Sequence, residues 1–340
     1  RRTSLMKEAD SNLPADPAPP PTGLSLLDEM VSFFRSQPDK ALFGGLLVLW
    51  IGLFHFFGNS TLGYVDTSSL FGWMHYAYDN NPDDEHGLYM PLVVLFLIFW
   101  RSDELERVEK RVWWPGLLLL LCALVVHLIG FQVQQTRISI VAFYAGLYAL
   151  TSLVWGPRWM MATFFPFILF AFCVPLGNKS TVITQPLRQL ATDITTIVAQ
   201  GPLGIGVIQN GTTIFDPTGK FSYEIAAACS GLRSLTAISA LAIIFAFLWF
   251  KPWWKRIVMI SAAVPLAIGS NVFRLSSIIV AAEAFGQPAG NFVHDNSLMS
   301  LLPYLPAFLG LLGLALVLDG RLLTAIRTVL PKEAGLEAAE

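Results

Sequence analysis

Eight stretches of this chain are long or apolar enough to leave water: residues 41–57, 88–100, 113–133, 138–156, 159–177, 225–250, 257–284 and 298–318. About 20 apolar residues cover the roughly 30 Å of hydrocarbon in a bilayer, so most of these runs are candidate spans. The shortest, 88–100, needs residues before Leu88 to cross. Only 14% of the 340 residues are charged, against about 25% in average globular chains. That deficit excludes a soluble single-domain enzyme and excludes disorder over most of the length. The net charge of -2 leaves no electrostatic footprint for nucleic acid. The expected fold class is an all-α polytopic membrane protein of eight transmembrane helices.

The loops set an orientation. With the N-terminus in the cytoplasm, the inner segments 1–40, 101–112, 157–158, 251–256 and 319–340 hold sixteen of the 22 Lys and Arg residues. The outer segments 58–87, 134–137, 178–224 and 285–297 hold four: Arg137, Lys179, Arg188 and Lys220. This bias predicts both termini inside, with Trp113–Trp114 and Trp253–Trp254 at the inner interface. The sequence thus divides into a flexible, Pro-rich cytoplasmic tail (1–40), a transmembrane domain (41–320) and a cytoplasmic C-terminal tail (321–340). Within the tail, Leu24 to Phe34 is amphipathic enough to lie on the membrane surface. Nothing near Arg1 has the order of a cleaved signal peptide. Leu70–Tyr78 is too short to span and is expected at the interface.

An outer cap is expected over about 178–224. From Thr181 to Gln200, Ile183, Leu187, Leu190, Ile194 and Ile197 recur as one helical stripe. Asn210-Gly211 and Asp216-Pro-Thr-Gly219 are turn signals between short apolar runs, predicting one or two hairpins. The acidic stretch Asp79–His86 lacks fixed ligand spacing and reads as an acidic outer loop; no metal or other cofactor is called for. His127 and His55 read as satisfied core or interface residues.

Two cations fall inside apolar runs, Arg233 and Arg274. A charge at a helix centre costs on the order of 2.5–3.5 kcal/mol to insert, so such residues point to function. Arg233 lies four residues after Cys229, on the same helical face. A nearby guanidinium favours the nucleophilic thiolate, and the small residues around Cys229 leave room for a substrate backbone. Cys122 and Cys173 sit among Leu, Val and Phe and read as structural. At 1.5 Å per residue, Arg233, Cys229 and Arg274 stand about 27, 33 and 26 Å above the inner ends of their spans. His294, in the outer loop before the last span, reaches the same level. A cysteine, a histidine and arginines on one side of a membrane suit acyl transfer, as nucleophile, proton shuttle and oxyanion donors.

Ala228-Cys229-Ser230-Gly231-Leu232-Arg233, then Asn271-Val-Phe-Arg274, then His294 resembles the signature of the exosortase/archaeosortase family of polytopic membrane transpeptidases. The resemblance covers about residues 41–320. It implies Cys229 as nucleophile, Arg274 as catalytic partner and His294 in the third position, where bacterial members carry His and archaeal ones Arg. Arg233, Ser230, Asn271 and Glu224 are the expected substrate-binding or supporting residues. The implied partners are exported proteins with a C-terminal tripartite sorting signal of the PEP-CTERM kind: a short motif, an apolar helix and a basic tail. The implied acceptor is a membrane lipid or another nucleophile, and the implied place a bacterial inner membrane with the site facing the periplasm. Two rival classes are a transporter binding an anionic solute at the arginines and an enzyme of lipid-linked polymer biosynthesis. The first calls for paired broken segments that are not evident, the second for carboxylates rather than a cysteine.

Cys229→Ala is expected to abolish processing of a tailed substrate with insertion intact, whereas Cys173→Ala retains it. Immunoblotting of membranes for substrate and enzyme checks both, and failure of the Cys173 variant alone would reverse the assignment.

Overall fold

The computed structural model of the chain describes residues 26–61, 63–81, 83–177, 181–224, 232–296, 299 and 304–320. Thirteen α-helices are described: α1 Leu26–Ser36, α2 Lys40–Phe57, α3 Leu70–Asn80, α4 Met90–Trp100, α5 Ser102–Glu106, α6 Pro115–Gln132, α7 Thr136–Trp155, α8 Pro157–Ile168, α9 Thr181–Gln200, α10 Leu232–Trp249, α11 Trp253–Phe285, α12 Gln287–Asp295 and α13 Tyr304–Asp319. Among the described residues, α2, α6, α7 and α11 are long and apolar enough to cross a membrane. Shorter apolar helices occupy the other four expected spans. Proline explains much of the shortening: Pro91 starts α4, and Pro166 lies inside α8 before the chain tightens into a 3₁₀ turn over Leu169–Cys173.

The first body is built around α7, most of which is buried. Helix α6 lies close against it because Gly116, Ala123, His127 and Gly130 form its buried stripe. A Cβ on Gly116 would stand 2.7 Å from the Leu153 backbone. His127 is buried, shares a hydrogen bond with Ser139 at 3.0 Å and packs its ring 4.5 Å from that of Phe54. The opposite face of α6 exposes Leu118, Val125 and Leu128, as a lipid-facing helix should. The tail expected to be flexible is docked in its last part: Phe33 of α1 is buried and stacks on Trp159, while Trp155 donates to the Pro38 carbonyl.

The second body comprises α10, α11 and α13, packed through Ala242, Ala246, Ala263, Ala267, Ala307 and Leu311. Over the far half of α11 sits a cap made of α9 and a three-stranded antiparallel sheet: β1 Ile208–Asn210, β2 Thr213–Phe215 and β3 Ser222–Glu224. The turn signals sit where expected, with Gly211 and Gly219 at positive φ. The apolar stripe read for α9, however, is only partly its buried face, with Ile194 packed on the core of the cap. Ala191, Thr192, Thr195 and Ala199 face inward, and Leu190 and Ile197 are exposed. Small side chains let α9 approach α11 closely, with Ile194 and Val198 packed at the margin of that contact.

The acidic stretch before α4 also differs from its reading as a solvated loop. Asp84 is buried and accepts hydrogen bonds from the backbone N–H groups of Leu176 and Gly177 at 2.9 Å each and from Asn81 at 2.7 Å. It joins the loop before α4 to the chain leaving the 3₁₀ turn. Asp84→Ala leaves those buried donors unpaired and is expected to cost about 1–3 kcal/mol. Thermal unfolding in detergent should show the loss, smaller for Asp84→Asn, which keeps one acceptor; an unchanged midpoint in Asp84→Ala would remove the clamp.

Candidate functional site

Helix α11 carries Asn271 and Arg274 three residues apart, hence on one face. Asn271 is buried. The helix stops at Gly286, whose φ of 84° is open mainly to glycine. Pro288 in the first turn of α12 then restarts the chain. Helix α12 packs back along α11, so the region around His294, expected as loop, is the end of a nine-residue helix. This reversal brings Arg274 to His294, its Nη2 donating to the His294 carbonyl at 3.4 Å. The Nε of Arg274 is buried and has no hydrogen-bond partner among the described residues. The ring of His294 is held from the other side, with Nδ1 2.6 Å from the Asp295 carboxylate. Donation from Nδ1 to that carboxylate makes Nε2 the accepting nitrogen of the neutral ring.

The cap holds the strand that leads toward Cys229. Val207, Ile214 and Phe221 pack with Val272, Leu275, Ile279 and Ala282 of α11. Lys220 pairs with Glu283 at 2.6 Å, and that partnership holds its ammonium above the ordinary lysine range. The turn before it is tied by Asp216, whose carboxylate accepts from Thr218 and from the Lys220 backbone and is held below the usual carboxylate range by those bonds. In β3, Tyr223 donates to the Gln287 carbonyl at 3.0 Å. Burial, and then the charge of Asp295, push the Tyr223 hydroxyl up, so it remains a donor.

Of the residues singled out in the sequence, Arg274, His294 and Asn271 are therefore gathered on α11 and α12. Glu224 ends β3 and Arg233 opens α10, with their side chains outside the described residues. Cys229 and Ser230 also lie outside them. The other two cysteines are among the described residues: Cys173 is buried, its thiol beside Tyr144, and Cys122 is exposed on the outer face of α6.

Sequence reasoning missed the parts that aim these groups. Tyr223 lies in one of the short apolar runs between the turn signals and Gly290 four residues before His294, and neither stood out by residue type. In the fold, Gly290 is where β3 meets α12. A Cβ there would lie 2.1 Å from the Tyr223 hydroxyl oxygen and 3.0 Å from the Ala282 Cβ. The available signal was spacing, because Gly290 is one helical turn before His294 and so shares its face.

Residues 73–305 match the family model described as transmembrane exosortase, a span that includes every residue of the candidate site. No curated protein and no solved structure matches the chain.

Gly290→Ala is expected to displace Tyr223 and loosen the cap, costing about 1–3 kcal/mol as an overpacked contact does. In a Tyr223→Phe background, which removes the nearest clashing atom, the cost should shrink. Thermal midpoints of the four proteins in this cycle measure it, and additive effects would mean that the two residues do not meet.

Proposed function

The chain belongs to the transmembrane exosortase family and is a multi-pass membrane protein; from this we propose that it is a cysteine protease and transpeptidase that cuts C-terminal sorting signals from exported proteins. The observation that carries the reading is the Arg274–His294 contact beside the cap, whose last strand ends five residues before Cys229 in the chain. The substrates would be proteins ending in a PEP-CTERM-like motif, an apolar helix and a basic tail. Cleavage would take place at the periplasmic face of a bacterial inner membrane, which is the orientation that the loop charges favour.

In this reading the Cys229 thiolate attacks the scissile carbonyl, forming the C–S bond while the carbonyl electron pair moves to oxygen. The developing oxyanion needs donors that are already in place, because reorienting them during the reaction would be costly. Arg274 suits that task, with a buried Nε that no described protein group uses. Collapse of the intermediate expels the amine of the apolar tail, which takes from His294 the proton that its Nε2 accepted from the Cys229 thiol when the thiolate formed. The acyl group remains on sulfur as a thioester until a membrane lipid or another nucleophile displaces it. Arg233, Ser230, Asn271 and Glu224 would orient the substrate around the cysteine. A planar guanidinium offers two parallel donors where an ammonium is a point charge, so Lys is a poor replacement for Arg274.

His294→Ala is expected to retain substrate binding and lose turnover by about 10²–10⁴-fold, as removal of a general acid–base group does. Single-turnover assays with a reconstituted tailed substrate check this, together with trapping the thioester on Cys229. Unchanged turnover would take His294 out of the site, and substantial activity in His294→Arg would show that the position supplies charge rather than a proton.

A further inference from the structure

At the opposite end of the helices from Arg274 the two bodies part, and a cleft of about 1000 Å³ opens between α4, α8, α10 and α11. Its position follows from how the cores divide. Helix α10 is the wall between them: Phe247 stacks on Phe165 of α8 with ring centroids 4.5 Å apart, while Phe250 packs into the core of α10, α11 and α13. The cleft is lined by these rings and by Phe164, and its mouth carries Lys251 and Arg256.

The charges at the mouth do not cancel. Arg101 is occupied by Glu104 at 2.5–2.9 Å and by the Ala162 carbonyl at 2.7 Å. Arg256 gives only Nε, to the Phe250 carbonyl at 2.7 Å, and lies 4.5 Å from the centre of the Phe247 ring. Its two terminal nitrogens and the exposed Lys251 ammonium have no hydrogen-bond partner among the described residues. Against these two cations stands the single carboxylate of Asp103. Exposed Trp100, Trp253 and Trp254 mark this end as the level of lipid headgroups.

We propose that this cleft is a binding site for one anionic phospholipid, its phosphodiester on Lys251 and Arg256 and an acyl chain along Phe164, Phe165 and Phe247. Basic pockets between helices at a membrane surface take such headgroups, and the apolar walls exclude a ligand that is all charge. A basic peptide segment is disfavoured by the same two cations. Eighteen residues of α11 separate Arg256 from Arg274, about 27 Å of helix rise. The bound lipid is thus distinct from any acceptor at the candidate site. Its role is to close the seam between the bodies and to fix the near end of the helix that bears Arg274.

The test uses the full chain in neutral detergent, titrated by native mass spectrometry with phosphatidylglycerol or phosphatidylcholine of matched chains. One phosphatidylglycerol per chain should be retained at least tenfold more tightly than phosphatidylcholine, and should raise the thermal midpoint. Lys251→Gln with Arg256→Gln should weaken it at least tenfold. Because Arg256 also holds the end of α10, Lys251→Gln alone, at an exposed position, is the control for folding and should weaken it about threefold or more. Equal retention of both lipids, unchanged binding in Lys251→Gln, or the same rise in midpoint with inorganic phosphate alone would each overturn the proposal.

Discussion

One guanidinium on an apolar helix organises the far end of this protein. Arg274 lies in a stretch of α11 that is otherwise apolar or small, from Val258 to Ala282. A charge there is tolerated only where polar groups come to it, since its insertion costs on the order of 2.5–3.5 kcal/mol when they do not. The fold supplies those groups by turning back. Gly286 ends α11, α12 folds along it, and the His294 carbonyl reaches Arg274. The same reversal places the His294 ring and Asp295 beside the cap. Without the glycine turn, Arg274 and His294 would stand about 30 Å apart along one continuous rod, too far apart to share a substrate.

The cap is the second consequence of that arrangement. Its contacts with α11 are apolar, through Val272, Leu275 and Ile279, but its alignment is polar: Lys220 to Glu283, Tyr223 to Gln287 and Gln287 back to Ser222. Apolar burial is indifferent to small slips, whereas a pair at 2.6 Å and a hydroxyl bond at 3.0 Å are not. Those polar contacts hold β3, which ends five residues before Cys229 in the chain, in one register.

The eight apolar runs were legible in the sequence because hydrocarbon imposes a length and a composition that no local detail hides. Their internal form was not. Pro166 splits one run into α-helix and 3₁₀ turn, and the apolar stripe of α9 is buried only in part, because Ala191 and Ala199 allow a closer fit than Leu190 or Ile197. Periodicity reports which face is apolar, not which neighbour is available. The candidate site stood out for a different reason: intramembrane charges and a cysteine beside them are rare enough to be noticed one residue at a time. Asp84, Tyr223 and Gly290 did not, since each is ordinary until another part of the chain meets it. An aspartate among aspartates in a loop reads as solvated, and only the fold brings the N–H groups of Leu176 and Gly177 to it.

The two ends of α11 each fix the azimuth of one helix against different neighbours. At one end Arg274 must meet the His294 backbone and keep a donor unspent, which requires a fixed azimuth for α11 relative to α12. At the other end Arg256 and Lys255 hold backbone carbonyls at the ends of α10 and α13, Phe250 and Leu318, which fixes the same azimuth relative to the rest of the second body. A straight helix transmits rotation along its length. Pro265, which removes a backbone donor between the two ends, is a position in α11 where that transmission can be relieved. The consequence is an asymmetry: a change at the basic end should reach Arg274 attenuated, whereas any change at Gly286 or Gly290 acts on the site directly, with no helix in between to absorb it.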